Sequence, residues 1–275
     1  MKIFKKFTPG SNIVDVLEDV RRYNNDGIAC SISYLPVLKN SPWRVDQEVN
    51  VYFEILEKIN EQGANCDVTI KLHQLGVYGR SGLVEESVAR IVDYAKSLNN
   101  FVWVDMERSD TVDATIELCR ELYQRYPGSF GICLQAYLKR TERDMKLLLS
   151  MGMPMRFVKG FYKDHDFNSW DEVSQNYRHL MTYVLDHSSR PAIAGHDLEI
   201  HKEVKRYVIE NGLKEKMEFQ FFKGVRDDLA RQLVHEGFHV RIYVPFGSVW
   251  RFIIHGFRTF DLMHQIERMA GFKPW

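Results

Sequence analysis

A set of polar residues in this chain falls at or just past the ends of short apolar runs, where a side chain can reach a ligand while its strand stays packed. Lys71, Asp105, Gln135, Arg156, Lys159, Tyr162, His196, Asp197, Gln220 and Tyr243 all do so. The stretch "MRFVKGFYKD" (Met155 to Asp164) is the sharpest case. Arg156, Val158 and Gly160 alternate with Phe157, Lys159 and Phe161, so cations interrupt what reads as a buried strand. A buried cation is tolerated when something electron-rich faces it. A phosphate, a carboxylate or a reduced flavin ring would each qualify, and the pattern does not choose among them. By the period of two, Thr69 shares a face with Lys71, and Trp103 with Asp105. Lys71 and Asp105, from neighbouring strands, can pair, either as part of a site or as a plain ion pair at a sheet rim. A lone lysine at a strand end is often a solvated edge residue, and His196 alone could be a core histidine. Recurrence on nearly every strand favours a site. Two other chemistries use the same residues. His73, Asp105 and His196 could ligate zinc for hydrolysis, although no H-x-H occurs. Lys71 or Lys159 could form a Schiff base.

The elements that must position these groups alternate regularly. Strands are predicted over Ile28–Ser33, Asp67–Leu72, Phe101–Asp105, Phe130–Gln135, Arg156–Gly160, Ala192–Gly195, Glu218–Phe222 and His239–Tyr243. Helical spacing covers Glu85–Asn100, with Val88, Ile91, Val92 and Ala95 on one face. Ser109 or Asp110 is the expected N-cap of the next helix, and Thr141 opens another with a Thr/Asp capping pattern. Further helices end at Asn211-Gly212 and at Gly237. Strand–helix alternation of this kind predicts a parallel sheet, and eight units in a chain of 275 residues predict a (β/α)8 barrel. A doubly wound open sheet is disfavoured by the lack of G-x-G-x-x-G after the first strand. A helix over Ser11–Asn24 precedes the barrel, and Ser248–Met269 reads as a final helix.

No linker or low-complexity tract divides the sequence, so residues 1–275 are expected to form a single domain. Apolar residues make up 45%, and 37 basic residues balance 37 acidic ones. Nothing there points to nucleic acid or an anionic membrane. Cys30, Cys66, Cys119 and Cys133 have neither C-x-x-C spacing nor a disulfide framework, which suits a reducing cytoplasm. No apolar run approaches the ~20 residues that span a bilayer, and "MKIFKKFTPG" lacks the apolar core of a signal peptide.

Separated blocks from Asp67 to Gly247 resemble the proline dehydrogenase family, flavin-dependent barrel enzymes that oxidise proline to pyrroline-5-carboxylate. They are "TIKLHQLG", "VWVDMERSDTVDATIEL", "GICLQAYLKRTERDM", "RFVKGFY", "AGHD", "EFQFFKGVR" and "EGFHVRIYVPFG", in the family's order. The resemblance implies a distorted barrel with non-covalent FAD across its C-terminal face and the final helix over its mouth. It places Arg156 by the flavin N5, where it would stabilise negative charge on the reduced ring. It assigns Gln135, Gln220 and the backbone near Val158 and Gly160 to flavin hydrogen bonds, and His196 to the phosphate and adenosine side. Lys159, Lys163, Gly195 and Phe222 are implied around the cofactor as well. Lys71 and Asp105 match an active-site ion pair. Tyr162 and Tyr243 match pocket tyrosines, and Phe222 stands where a leucine packs on the substrate ring. No metal is implied.

The last segment departs from the family. There a tyrosine is followed by two adjacent arginines that clamp the substrate carboxylate. Here Ile253 stands at the tyrosine, Gly256-Phe257 at the arginines, and Phe260 at a flavin-contacting glutamate. Phe161 replaces an alanine. Losing a bidentate Arg–carboxylate contact is not conservative. Three readings stay open. Arg251 or Arg258, with or without His255, could restore the clamp, and proline would remain the substrate. Alternatively, Phe161, Ile253 and Phe257 would suit a larger or carboxylate-masked secondary amine of a biosynthetic pathway. Lastly, the protein could bind FAD without catalysis. The electron acceptor, a quinone or another, would be met at most by peripheral contact with the inner membrane.

Overall fold

The structure, a computed structural model, describes residues 7, 10, 12–36, 42–76, 81–160 and 165–248. After helix α1 (Ile13–Asn25), strands and helices alternate: β1 (Ala29–Leu35), α2 (Pro42–Glu61), β2 (Cys66–Lys71), α3 (Ser81–Ser97), β3 (Val102–Asp105), α4 (Val112–Arg125), β4 (Phe130–Gln135), α5 (Thr141–Ser150), β5 (Met155–Val158), α6 (Trp170–His187), β6 (Pro191–Ala194), α7 (Leu198–Glu210), β7 (Glu218–Phe222), α8 (Asp227–His235) and β8 (His239–Gly247). The strands close in sequential order into a barrel, and every described pairing is parallel. The predicted (β/α)8 architecture is the one observed.

By contact density the chain divides into two compact units. In the unit that carries β2 to β5, the strands are buried almost throughout, as parallel strands covered by helices must be. Period-two alternation splits β5 between two tasks. Phe157 stacks on Tyr177 of α6, with centroids 4.7 Å apart, and its carbonyl accepts from Tyr177 Oη at 3.3 Å. Arg156, the residue before it, therefore points to the opposite face. Tyr52 of α2 likewise donates to the Thr69 carbonyl on β2 at 3.1 Å. In the other unit, Asn12 caps α1 through Val14 N–H, at 2.9 Å. Helix α1 docks by Val16, Leu17, Val20 and Tyr23, and Tyr23 Oη donates to Asp227 of α8 at 3.0 Å. Each such apolar side chain contributes roughly 1.5–3 kcal/mol when buried.

Several expectations need correction. The strand predicted over Arg156–Gly160 ends at Val158, because Gly160 adopts φ +122° and leaves the pleat. β8 runs four residues beyond Tyr243, so that tyrosine lies within the strand rather than at its end. Ser109 and Asp110 do not cap α4. They belong to a 3-10 turn over Ser109–Thr111, and Thr111 Oγ1 donates to Arg108 O at 2.8 Å. Thr141 does not cap α5 either; Arg140 takes the cap position and the Thr141 hydroxyl turns to the Gln135 carbonyl at 2.5 Å. Helices α2 and α6 were not predicted. Their signals were present, in Val45, Val49, Tyr52, Leu56 and Ile59, and in Val173, Tyr177, Leu180 and Val184 at helical spacing. Ser169 also caps α6, accepting from Glu172 N–H at 3.2 Å. Of the predicted final helix over Ser248–Met269, all but Ser248 lies outside the described residues.

Gly160 is where a side chain has no room. A Cβ there would stand 2.1 Å from the ring of the fully buried Tyr137. Gly160→Ala is expected to destabilise the protein by about 2–4 kcal/mol, through overpacking and a left-handed backbone. Urea denaturation of the two proteins checks this: the midpoint should fall, and an unchanged midpoint would show that Tyr137 gives way.

Candidate active site

Four strands of one unit converge on Arg156. Register sets Lys71 opposite Asp105, Thr69 opposite Trp103, Trp103 opposite Gly131, and Cys133 opposite Arg156. Arg156 is 2% exposed. Its Nη2 donates to Asp105 Oδ1 at 2.6 Å, and Nη1 and Nη2 both lie 3.4 Å from Thr69 Oγ1. The guanidinium carbon stands 5.1 Å from the centre of the Trp103 ring. The other Asp105 oxygen takes the Lys71 ammonium. Gly131 makes this layer possible, because a Cβ there would meet Trp103 and the Pro154 carbonyl at 2.7 Å. The trio sets two cations against one carboxylate. A negative charge developing beside it would be stabilised strongly, since a desolvated, preorganised cation acts in a low dielectric. Burial pushes the Cys133 thiol up to about 11, against the opposing pull of Arg156, so it stays protonated beside the cluster.

Gln135 ends β4 with its amide orientation settled by chemistry. Nε2 donates to the Met106 and Glu107 carbonyls, each at 3.1 Å, and only the NH2 end can do so. Oε1 is buried and finds no partner among the described residues. After β5, the Val158 and Lys159 carbonyls accept from Ala136 and Tyr137 N–H at 2.8 and 2.9 Å. Lys159 is not a second cation in the core. Its ammonium donates to Ser174 of α6 at 2.8 Å, so the side chain leaves the barrel interior.

The other unit carries the remaining candidates. His196 Nε2 accepts the Phe222 N–H at 2.9 Å, which puts the ring proton on Nδ1. That Nδ1 is buried with no partner among the described residues. Burial first, then His201 and Arg226, push the His196 pKa down to about 3. It is therefore a neutral donor at physiological pH. His201 donates to the Gly195 carbonyl at 2.9 Å, and burial lowers its pKa also. Gly195 N–H bonds to the Gln220 carbonyl at 3.1 Å. The Gln220 amide nitrogen donates to Glu218 at 2.7 Å, and Arg241 holds the same oxygen at 2.8 Å. Phe222 and Tyr243 stack 5.6 Å apart at 24°. Asp197 serves the fold, capping α7 through Glu199 and Ile200 N–H.

Sequence reasoning singled out no role for Glu107, Glu218 or Arg241. Glu218 and Arg241 each stand two residues before a residue it did pick, Gln220 and Tyr243, which was the available signal. Among the described residues no group of three or more His, Cys, Asp or Glu side chains is placed to hold a metal, so His73, Asp105 and His196 do not form the zinc set considered above. Phe161, Tyr162, Lys163, Ile253, Phe257 and Arg258, together with Arg251, His255, Gly256 and Phe260, lie outside the described residues.

A neutral buried His196 has a consequence for acid stability. Its unfolded pKa is the ordinary 6.5 and its folded pKa about 3. Below 6.5 the unfolded chain binds a proton that the folded one refuses. Stability is therefore expected to fall as pH drops from 6.5 towards 3. His196→Gln should flatten the urea midpoint over that window relative to the unsubstituted protein.

A profile of the family described as proline dehydrogenase matches residues 16–258. The chain is 32% identical over 255 residues to a proline dehydrogenase of Deinococcus radiodurans, covering 90% of this chain and 82% of that protein. It is 28% identical over 249 residues to proline dehydrogenase 2 of Bacillus subtilis, covering 89% and 82%. In three dimensions it resembles proline utilization A of Bdellovibrio bacteriovorus, inactivated by N-propargylglycine, with a TM-score of 0.83 at 21% identity over 90% of this chain. Proline utilization A of Corynebacterium freiburgense gives a TM-score of 0.80 at 19% identity over 98% of this chain. The chain spans about a third of the length of those two, 31% and 32%, and at such identity they speak to the fold alone. From the span of the profile and the curated relatives, the chain belongs to the proline dehydrogenase family.

Proposed function

We propose that this protein oxidises proline, or a proline-like pyrrolidine, to the cyclic imine, with FAD as the acceptor. The observation that carries the reading is Arg156. It is a fully desolvated guanidinium, braced by Asp105, Thr69 and Trp103, at the strand position where the family sets an arginine by the flavin. FAD, when bound, supplies the two-electron acceptor for a hydride leaving the carbon next to the amine nitrogen. The residues present suit such a ligand. Gln135 Oε1 is a buried acceptor and His196 Nδ1 a buried donor, and neither has a partner among the described residues. Buried polar groups of this kind are normally satisfied.

In this reading Arg156 stabilises negative charge as hydride arrives, and Asp105 keeps the guanidinium in place. Lys71 holds the second oxygen of Asp105 and adds positive charge beside the substrate. The family pattern assigns Gln135, Gln220 and His196 to holding the cofactor, along with the backbone near Val158 and Gly160, and Lys159, Lys163 and Gly195; the Lys159 ammonium itself goes to Ser174. Phe222 and Tyr243 offer a stacked apolar wall to a small ring, and Tyr162 matches a substrate-pocket tyrosine of the family. A quinone or another oxidant would serve as the final electron acceptor. No helix among the described residues is long and apolar enough to cross a membrane.

A second reading is favoured by one observation in the sequence. Gly256-Phe257 stands where the family clamps the substrate carboxylate. An amine whose carboxylate is masked would not miss that clamp, and Phe161, Ile253 and Phe257 would add apolar contact at ~25 cal/mol per Å² buried.

Anaerobic titration separates these readings. L-proline should bleach the bound flavin. Bleaching by proline esters or amides but not by proline would favour the second reading. Loaded protein that no pyrrolidine reduces would refute oxidation altogether. Arg156→Met is expected to slow flavin reduction by about 10²–10³-fold, the usual cost of removing one preorganised charge-stabilising donor. Stopped-flow bleaching checks this, with circular dichroism confirming the fold; an unchanged rate would remove Arg156 from its role.

A further inference from the structure

Beyond Lys71 and Asp105 a second acid–base pair repeats the arrangement two residues further along both segments. His73 follows Lys71 in a 3-10 turn over Leu72–Gln74, and Glu107 follows Asp105. One Glu107 oxygen contacts His73 Nδ1, and the other accepts the His73 backbone N–H at 3.1 Å. The Glu107 side chain is 7% exposed and that of His73 19%. The backbone bond holds the Glu107 carboxylate in place, and the carboxylate holds the ring. Because a carboxylate accepts, the ring contact places the proton on Nδ1 and leaves the Nε2 lone pair open, with no partner for it among the described residues.

The proposed oxidation needs such a nitrogen. Hydride leaves a carbon beside nitrogen only when the nitrogen lone pair is available, and at neutral pH a pyrrolidine is an ammonium ion. Asp105 cannot serve as the base, because its two oxygens hold Arg156 and Lys71. Lys71 and Arg156 are cations in those same pairs. We propose that His73 is the base that takes the substrate's ammonium proton, with Glu107 as its positioning residue; this rests on the amine-oxidase reading above. In the step, one N–H bond of the ammonium breaks and its electron pair stays on the amine nitrogen. The proton forms a bond to His73 Nε2. The Glu107 carboxylate stands across the ring to take up the new positive charge, as an acidic partner does for a catalytic histidine. No electrons are exchanged, and the proton passes to water at the exposed edge of the ring. The charged group against the His73 ring is Glu107; two residues earlier on the same segments stand Lys71 and Asp105, the latter paired also with Arg156, so that two cations face two carboxylates.

Rapid mixing of the FAD-loaded protein with L-proline, or with the best-reducing pyrrolidine, across a pH series tests this. His73→Gln and His73→Asn should bleach about 10²-fold more slowly at neutral pH, the usual contribution of a general base. The deficit should close as pH rises to where the amine is neutral in solution. Imidazole added to His73→Ala should restore part of the rate, and Glu107→Gln should give a smaller deficit with the same pH trend. Flavin content and thermal midpoint identify variants that fail to load or fold. A His73→Gln rate equal to the unsubstituted protein's, or a deficit constant at every pH without imidazole rescue, would overturn the proposal. If the unsubstituted protein is bleached by no pyrrolidine at any pH, the oxidase reading fails first and takes this one with it.

Discussion

A guanidinium withdrawn from water must be held by its neighbours, and the contact between Arg156 and Asp105 does this. A charge-assisted bond at 2.6 Å in a desolvated interior is strong, but desolvation offsets much of its gain. Such a pair is weak evidence for stability and good evidence for a task. Much around it serves to keep the arginine charged and still. Thr69 gives an oxygen to two of its nitrogens, Trp103 gives a π-face, and Gly131 gives Trp103 room. Lys71 occupies the second oxygen of Asp105, so the carboxylate cannot swing away.

The same logic of tied-back groups recurs. Gln135 anchors its amide nitrogen on two carbonyls and keeps an oxygen for something else. In the other unit His196 anchors Nε2 on a backbone N–H and keeps Nδ1. Gln220 is held by Glu218, which Arg241 holds in turn. Each is oriented by its neighbours before any ligand arrives. Preorganisation of this kind is what lets polar groups act on developing charge without reorganising. It also imposes buried polar groups that only a ligand of matching donors and acceptors would satisfy.

The pairing of Lys71 with Asp105 was legible because parallel strands in a closed barrel leave little freedom; that Arg156 takes the other Asp105 oxygen was not. Period two sets which side chains share a face, and alternation with helices sets the parallel register. Lys159 was misread because it was grouped with Arg156 as a second cation in the core; the same period of two that turns Phe157 to Tyr177 of α6 turns Lys159 to Ser174 of that helix. Ser109 was misread as a cap because a 3-10 turn stands between it and α4, and Thr141 because its hydroxyl has the Gln135 carbonyl within reach. Glu107 gave little sign of its role, since its partner is 34 residues away and only strand register brings the two together.

The residue order by itself determined the barrel, the strands that carry chemistry, the arginine on the inward face of β5, and the resemblance to a family that the profile and the relatives then established. Periodicity and separated motifs are local properties, and they survive without coordinates. Only the tertiary structure decided which oxygen each cation holds, which way the amides of Gln135 and Gln220 point, that Lys159 turns outward, and that His196 is neutral. Those depend on distances between segments far apart in the chain and on the loss of water around them, and neither is written in any one segment.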